Sequence, residues 1–272
     1  MNAIEQAFQK TKAQGNRALI GYVTAGDPTP EFTPKIADAL IRGGVDILEL
    51  GLPFSDPIAD GPTIQAASVR ALAAGTTPQK VLQIAKEIRK SHSTPTVIMT
   101  YYNPVFRMGL ERFCVSAKES AVDGVIVPDL PVEESSDFKK AAADFGLDTI
   151  FLAAPSTSTE RLKMIVQNSS GFLYLVSHFG VTGAKTTVDD STIQLVKQVL
   201  PFTAGKINLA VGFGVSKPQH VKRIIEAGAD GVIVGSAFID LIQKNKNDTA
   251  SMLRELEATA SELKKATKIL EE

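Results

Sequence analysis

The sequence predicts an α/β fold, a closed (β/α)8 barrel built as one domain over residues 1–272, and three observations carry that prediction. Apolar runs of strand length alternate with helical patterns along nearly the whole chain, with no Ser/Pro/Gly linker or low-complexity segment between them. Eight such runs can be read, which suits eight βα units in about 250 residues. The segments GGVDILEL, SAVDGVIV, FGLDTIFL and AGADGVIV each join a helix end to the next strand through a small residue and an Asp, so one αβ corner is reused. Alternation of this kind requires a parallel sheet, and an open doubly wound sheet is the alternative to closure.

In chain order, the N-terminal MNAIEQAFQKTK sets Ile4 and Phe8 at helical spacing with charges between them, an added helix and not the unbroken apolar region of a signal peptide. Strands are expected over residues 18–23, 47–50, 96–100, 124–127, 149–152, 172–176, 207–211 and 231–234. Helix starts are marked by Thr77 before Pro78, Pro131 ahead of Glu133 and Glu134, Ser158 before Glu160, Ser191, and Ser216 before Lys217 and Pro218. Residues 248–268 read as a further, C-terminal helix.

Composition removes several function classes. Lys+Arg 29 against Asp+Glu 30 leaves a net charge of -1, so no basic face for nucleic acid is implied. The longest apolar runs are too short to cross a membrane, and a cytoplasmic location is expected. Cys114 is the only cysteine, which excludes a disulfide framework and a thiolate metal cluster and makes it a small core residue. No His/Cys/Asp cluster has metal-ligand spacing, and neither GxGxxG nor GxxxxGK[ST] occurs.

Chemistry concentrates in DILELGLPFSDPIADG, residues 46–61. Glu49 stands inside the apolar run Ile47, Leu48, Leu50, where a carboxylate stripped of water costs several kcal/mol unless it is paired or stays protonated. In a barrel, Asp27, Asp56, Asp60 and Asp129 follow strands on the face that carries chemistry, although turn formation also accounts for Asp56 and Asp60. Asp46, Asp123, Asp148 and Asp230 fall on the opposite, stabilising face, explained as turn formers. Gly212, Phe213 and Gly214 after the seventh run, and Gly235 and Ser236 after the eighth, each lead into a helix whose amides can meet an anion. The long loop that begins with Gly180 and Val181 offers Gly183 to the same anion and Thr182 to a loop acid, in the manner of a lid. Of the histidines, His178 alone follows a strand, while His92 and His220 are expected as solvated helix or turn residues.

These motifs resemble the tryptophan synthase alpha chain family. The resemblance runs from about Ala18 to Lys265 and rests on TAGDP at 24–28, LELGLPFSDPIADGPTIQ at 48–65, PDLPVEES at 128–135, GVTGA at 180–184, GFGVSKPQ and IVGSA. It implies a (β/α)8 barrel that cleaves indole-3-glycerol phosphate by a retro-aldol reaction and passes indole to a pyridoxal-phosphate beta chain in an α2β2 heterotetramer, with no cofactor in the alpha chain. By motif, Glu49 matches the acid/base carboxylate and Asp60 the second catalytic acid; a partly desolvated Glu49 should have a raised pKa. Tyr22, Ile64, Tyr101, Tyr174 and Phe213 match the walls around the indole, with Tyr22 where members usually carry Phe. Gly183, Gly214, Gly235 and Ser236 match the phosphate positions, and Thr182 a lid contact. The departure is Ser177, His178, Phe179, Gly180, where members read Ser-Arg before the glycine loop; a His178 bond to an acid such as Asp56 would make closure depend on pH. Two alternatives stand beside this reading: a lyase that works alone, and a weakly catalytic subunit that mainly activates the beta chain.

Overall fold

β-branched and Leu-rich runs separated by helices pair in parallel, because each crossover returns the chain to the same end of the sheet. The computed structural model describes residues 1–176, 190–212 and 214–269. Nine strands occur among them: β1 (Ala18–Thr24), β2 (Ile47–Gly51), β3 (Thr96–Met99), β4 (Gly124–Ile126), β5 (Asp148–Ile150), β6 (Leu152–Ala153), β7 (Phe172–Val176), β8 (Asn208–Gly212) and β9 (Gly231–Val234). All pairings are parallel, in the order β5-β4-β3-β2-β1-β9-β8-β7-β6. The two edges of that order, β5 and β6, are halves of one strand broken at Phe151, whose carbonyl accepts the Tyr174 N–H at 3.1 Å. The sheet therefore closes, and the expected fifth strand is present as two pieces.

The helices among the described residues are α1 (Ala3–Ala13), α2 (Thr33–Arg42), α3 (Pro62–Ala73), α4 (Pro78–Ser91), α5 (Tyr102–Met108), α6 (Leu110–Glu119), α7 (Ser136–Asp144), α8 (Thr159–Asn168), α9 (Asp190–Thr203), α10 (Pro218–Glu226), α11 (Ser236–Lys244) and α12 (Thr249–Lys265). None is long and apolar enough to cross a membrane. Thr77 and Ser158 cap as expected, accepting the N–H of Lys80 and of Arg161, each at 3.3 Å. Asp248 likewise accepts from Ser251 at 3.0 Å. Two expected starts are corrected. Ser191 lies inside α9, which already begins at Asp190, and Ser216 does not cap α10, whose N-cap is Lys217. After Pro131 the chain first makes a 3-10 turn (Val132–Glu134) before α7.

Period-two alternation sorts the strand side chains onto two surfaces. Ala18, Ile20, Ile47, Val97, Ile126, Ile150, Phe172, Ala210 and Ile233 form the barrel interior. Their neighbours Leu19, Leu48, Leu50, Ile98, Val125, Leu173, Val211 and Val232 pack outward against the helices. Ile4 and Phe8 of α1 join the inner cluster and close its amino end, so the predicted N-terminal helix is a plug. Cys114 is fully buried, as expected of a core residue.

The repeated corner acids do more than turn the chain. Asp46 accepts the N–H of Leu19 at 2.8 Å, Asp123 that of Thr96 at 2.8 Å, and Asp230 that of Leu209 at 2.9 Å. Each carboxylate thus clips the start of its own strand to the start of the strand before it. Lys264 pairs with Asp46 at 2.6 Å, and Arg89 pairs with Asp123. His220 is corrected from a solvated residue: it is 4% exposed, and its Nδ1 accepts the Ser216 N–H at 3.4 Å. His92 ends α4 with its ring 3.0 Å from Asp38.

Candidate active site

Glu49 owes its position to the parity of β2. Ile47 points into the barrel, so Glu49, two residues on, points into it one level nearer the carboxyl end, opposite Tyr22 in the register. Its side chain is fully buried, and neither carboxylate oxygen has a hydrogen-bond partner among the described residues. Burial raises its pKa to about 8, with the charge of Asp60 adding to the shift. At neutral pH this carboxyl carries its proton.

Asp60 ends the loop after β2 and directly precedes Gly61, the N-cap of α3. It is 8% exposed, and burial raises its pKa to about 6 while a hydrogen bond with Tyr101 opposes the shift. The Tyr101 hydroxyl also accepts the Ala59 N–H at 3.0 Å, and its ring stacks on Phe54 with centroids 5.2 Å apart. One tyrosine therefore holds the loop and the acid together.

The structure sorts the four loop acids of this face. Asp27 forms a two-pronged pair with Arg70 at 2.8 and 2.7 Å. Asp129 accepts the Tyr102 N–H at 2.8 Å and so caps α5 from the next loop. Asp56 is exposed. Asp60 is the member of this set that is buried at the cleft.

The cleft opens at the carboxyl ends of the strands. Of the expected residues, Tyr22, Asp60, Ile64, Tyr174, Gly214, Gly235 and Ser236 line it. Tyr101 stands behind Asp60 and Ala59, and Glu49 lies beneath, close enough for its charge to act on Tyr22 and Tyr174. Two inward glycines make room for these rings. A Cβ on Gly51 would lie 2.1 Å from the Tyr22 hydroxyl, and one on Gly212 would lie 2.7 Å from Cε2 of Tyr174. At the far wall, α11 begins at Ser236, and the Gly235 carbonyl accepts from Phe238 and Ile239, which leaves the Ser236 and Ala237 amides outside the helix's own bonding. That end can take an anion. Thr182, Gly183 and Phe213, with His178 and Phe179, lie outside the described residues.

Sequence reasoning missed much of the apolar lining: Ala59, Met99, Ile126, Pro128, Leu152, Val176, Val215 and Ile233. The signal was there. Met99 and Leu152 continue the inward parity of Val97 and Ile150, so counting by twos from the core finds them. A largely apolar chamber with two raised-pKa acids and a helix start at its wall suits acid/base chemistry on a substrate with an apolar body and an anionic group.

A family model described as tryptophan synthase alpha chain matches residues 8–268. The chain is 48% identical over 266 residues to the tryptophan synthase alpha chain of Methanoregula boonei, covering 98% of each. Among solved structures it is similar to the tryptophan synthase alpha chain of Legionella pneumophila, with a TM-score of 0.89 at 36% identity over 98% of this chain and 97% of that one. It is similar also to a chain of the Pyrococcus furiosus tryptophan synthase a2b2 complex, with a TM-score of 0.85 at 42% identity over 92% and 98%.

Proposed function

We propose a residue-level mechanism from one premise: the chain belongs to the tryptophan synthase alpha chain family, and it is a carbon–carbon lyase that cleaves indole-3-glycerol phosphate in tryptophan biosynthesis. Cleavage needs a proton at indole C3, loss of the proton from the adjacent hydroxyl, and relief of the positive charge that grows on the ring nitrogen. Glu49, carrying its proton at neutrality, delivers it to C3; the resulting carboxylate takes the hydroxyl proton as the carbon–carbon bond breaks. The electron pair of that bond restores the aromatic ring, indole and glyceraldehyde 3-phosphate separate, and Glu49 is again protonated. Asp60, ionised just above its raised pKa, accepts a hydrogen bond from the ring N–H and stabilises the cationic intermediate. Tyr22, Ile64, Tyr101, Tyr174 and Phe213 form the walls for the ring. Gly183, Gly214, Gly235 and Ser236 take the phosphate, and Thr182 belongs to the lid. This route needs no cofactor in the chain.

The observation that carries the reading is Glu49, buried inside the barrel without a hydrogen-bond partner among the described residues and facing a second acid. Glu49→Gln preserves shape and removes proton transfer, so turnover should fall at least ~100-fold with substrate binding near normal. Near-wild-type turnover would sink the assignment.

We further propose a single barrel unit, located in the cytoplasm, that pairs with a pyridoxal-phosphate beta chain as α2β2. Support comes from the loop after β2 and from α5 after β3, where Ile58 and Phe106 are 77% and 66% exposed. Neither a lyase working alone nor a mere activator is favoured by the comparisons. Indole production titrated against cognate beta chain should rise to a plateau at equimolar ratio. No association at micromolar concentration would overturn the partnership.

A further inference from the structure

TAGDP, residues 24–28, is the sequence motif that the cleft leaves unused. We propose that Asp27 and Arg70 form a positioning clamp that holds α3, and through it Asp60, in the reactive geometry. The proposal rests on the reading of Asp60 as a catalytic acid.

Arg70 Nε donates to Asp27 Oδ1 at 2.8 Å and its terminal nitrogen to Oδ2 at 2.7 Å, a fork-on-fork pair that fixes direction as well as distance. The Asp27 side chain is 0% exposed and that of Arg70 23%. A buried ion pair is weak evidence for stability, because a well-packed apolar pair serves as well; its better attested use is to fix register. Here the register is that of α3. Arg70 lies eight residues beyond Pro62, about 12 Å along a rigid helix whose first residue follows Gly61 and Asp60. Gln65 ties Asp60 to the same helix, its side chain donating to the Asp60 carbonyl at 2.8 Å.

The other end of the Asp60 loop is held by the same turn. Ala25 donates to the Gly51 carbonyl at 2.9 Å, at the end of β2, and Gly26 donates to Thr33 Oγ1 at 2.8 Å. Between these anchors, Ser55, Asp56 and Ile58 are exposed and have little to pack against. Both ends of the loop are thus fixed by residues 25–27, and the clamp is the sole charged contact of that turn with α3 among the described residues. Asp60 itself faces Tyr101, Tyr22 and Glu49, and its shift arises from burial and Tyr101, so the clamp acts on it through position.

The test measures kcat and KM against pH, with thermal melting, for the full chain and three variants. Asp27→Asn combined with Arg70→Leu leaves no unpaired buried charge; Arg70→Lys keeps the charge and loses the fork. With Asp60 free to shift by an ångström or less, kcat should fall about tenfold or more in the double variant with KM within about twofold. The acidic limb of the rate profile should also move below about 6, as Asp60 gains water. Arg70→Lys should fall between, and it decides by the same readouts if the double variant does not fold. A folded variant with lower melting temperature but unchanged kcat and unchanged limb would overturn the clamp. Asp60→Asn is the reference: retained activity there would sink the underlying reading, whichever way the clamp variants behave.

Discussion

The two ends of this barrel use acidic residues in opposite ways. At the amino end, Asp46, Asp123 and Asp230 each accept a backbone N–H of the neighbouring strand, and two of them also meet a cation. At the carboxyl end, Glu49 is buried with no hydrogen-bond partner among the described residues, and Asp60 is held by a tyrosine beside it. The first arrangement satisfies charge and joins strands. The second leaves a buried carboxyl without a hydrogen-bond partner among the described residues, which costs stability and keeps protons available near neutral pH. One exception refines the contrast. Asp148, at the amino end, accepts from the Asn2 side-chain amide through one oxygen at 2.9 Å, while its other oxygen is buried. Burial raises its pKa to about 6, opposed by a bond from Ser170 and reinforced by Glu5 and Asp123.

Three substitutions sharpen the comparison, in order of effect. Gly235→Asp sets a like charge at the start of α11, and its Cβ would meet Tyr22 at 3.2 Å, a contact that a small shift relieves. Substrate binding should weaken by roughly 100-fold with the fold kept, as read by dissociation constant and circular dichroism. Unchanged binding would place the phosphate elsewhere. At the other end, Asp123→Ala removes the clip to Thr96 and the carboxylate partner of Arg89, which keeps its bonds to the Ser93 and Ala121 carbonyls, and should cost about 2 kcal/mol in denaturant melts with kcat unchanged. A loss of kcat in a folded variant would erase the division between the ends. The smallest effect is Asp148→Asn. Since the folded protein raises this pKa above its ordinary 3.8, wild type loses stability as pH rises from about 4 to about 6, and the variant should not. A gain of about 1 kcal/mol over that window, with activity intact, is expected from stability curves at several pH values. Equal curves would mean that the carboxyl finds a partner in solution.

Much of this division can be read from the chain, because parity and alternation are local. Ile47 and Glu49 share a face whatever the fold closes around them, and the repeated corner Asp is visible as a motif. What is not local is partnership. That Asp27 meets Arg70, or Asp129 the Tyr102 amide, depends on helices and loops brought together across 43 and 27 residues. Position after a strand accordingly places Asp27 and Asp129 on the chemical face beside Asp60, and only the family motif sets Asp60 apart. Ser216 and His220 failed for the same reason: a serine before Lys-Pro reads as a cap, yet here its amide goes to a histidine turned inward by α10. The lining aliphatics carry no polar signature and differ from core residues only in their level along the strand, which parity alone marks.

Glu49 is buried without a hydrogen-bond partner among the described residues and keeps its proton at neutral pH. The direct measurement is a carboxyl titration of Glu49, by difference infrared or carbon NMR against Glu49→Gln, together with stability at each pH. Titration near 8 is expected. Because that value lies above the ordinary 4.5, wild-type stability should fall relative to Glu49→Gln as pH rises from about 4.5 to about 8, and the two should converge at lower pH. A carboxyl titrating near 4.5, with no stability difference that grows with pH, would contradict it.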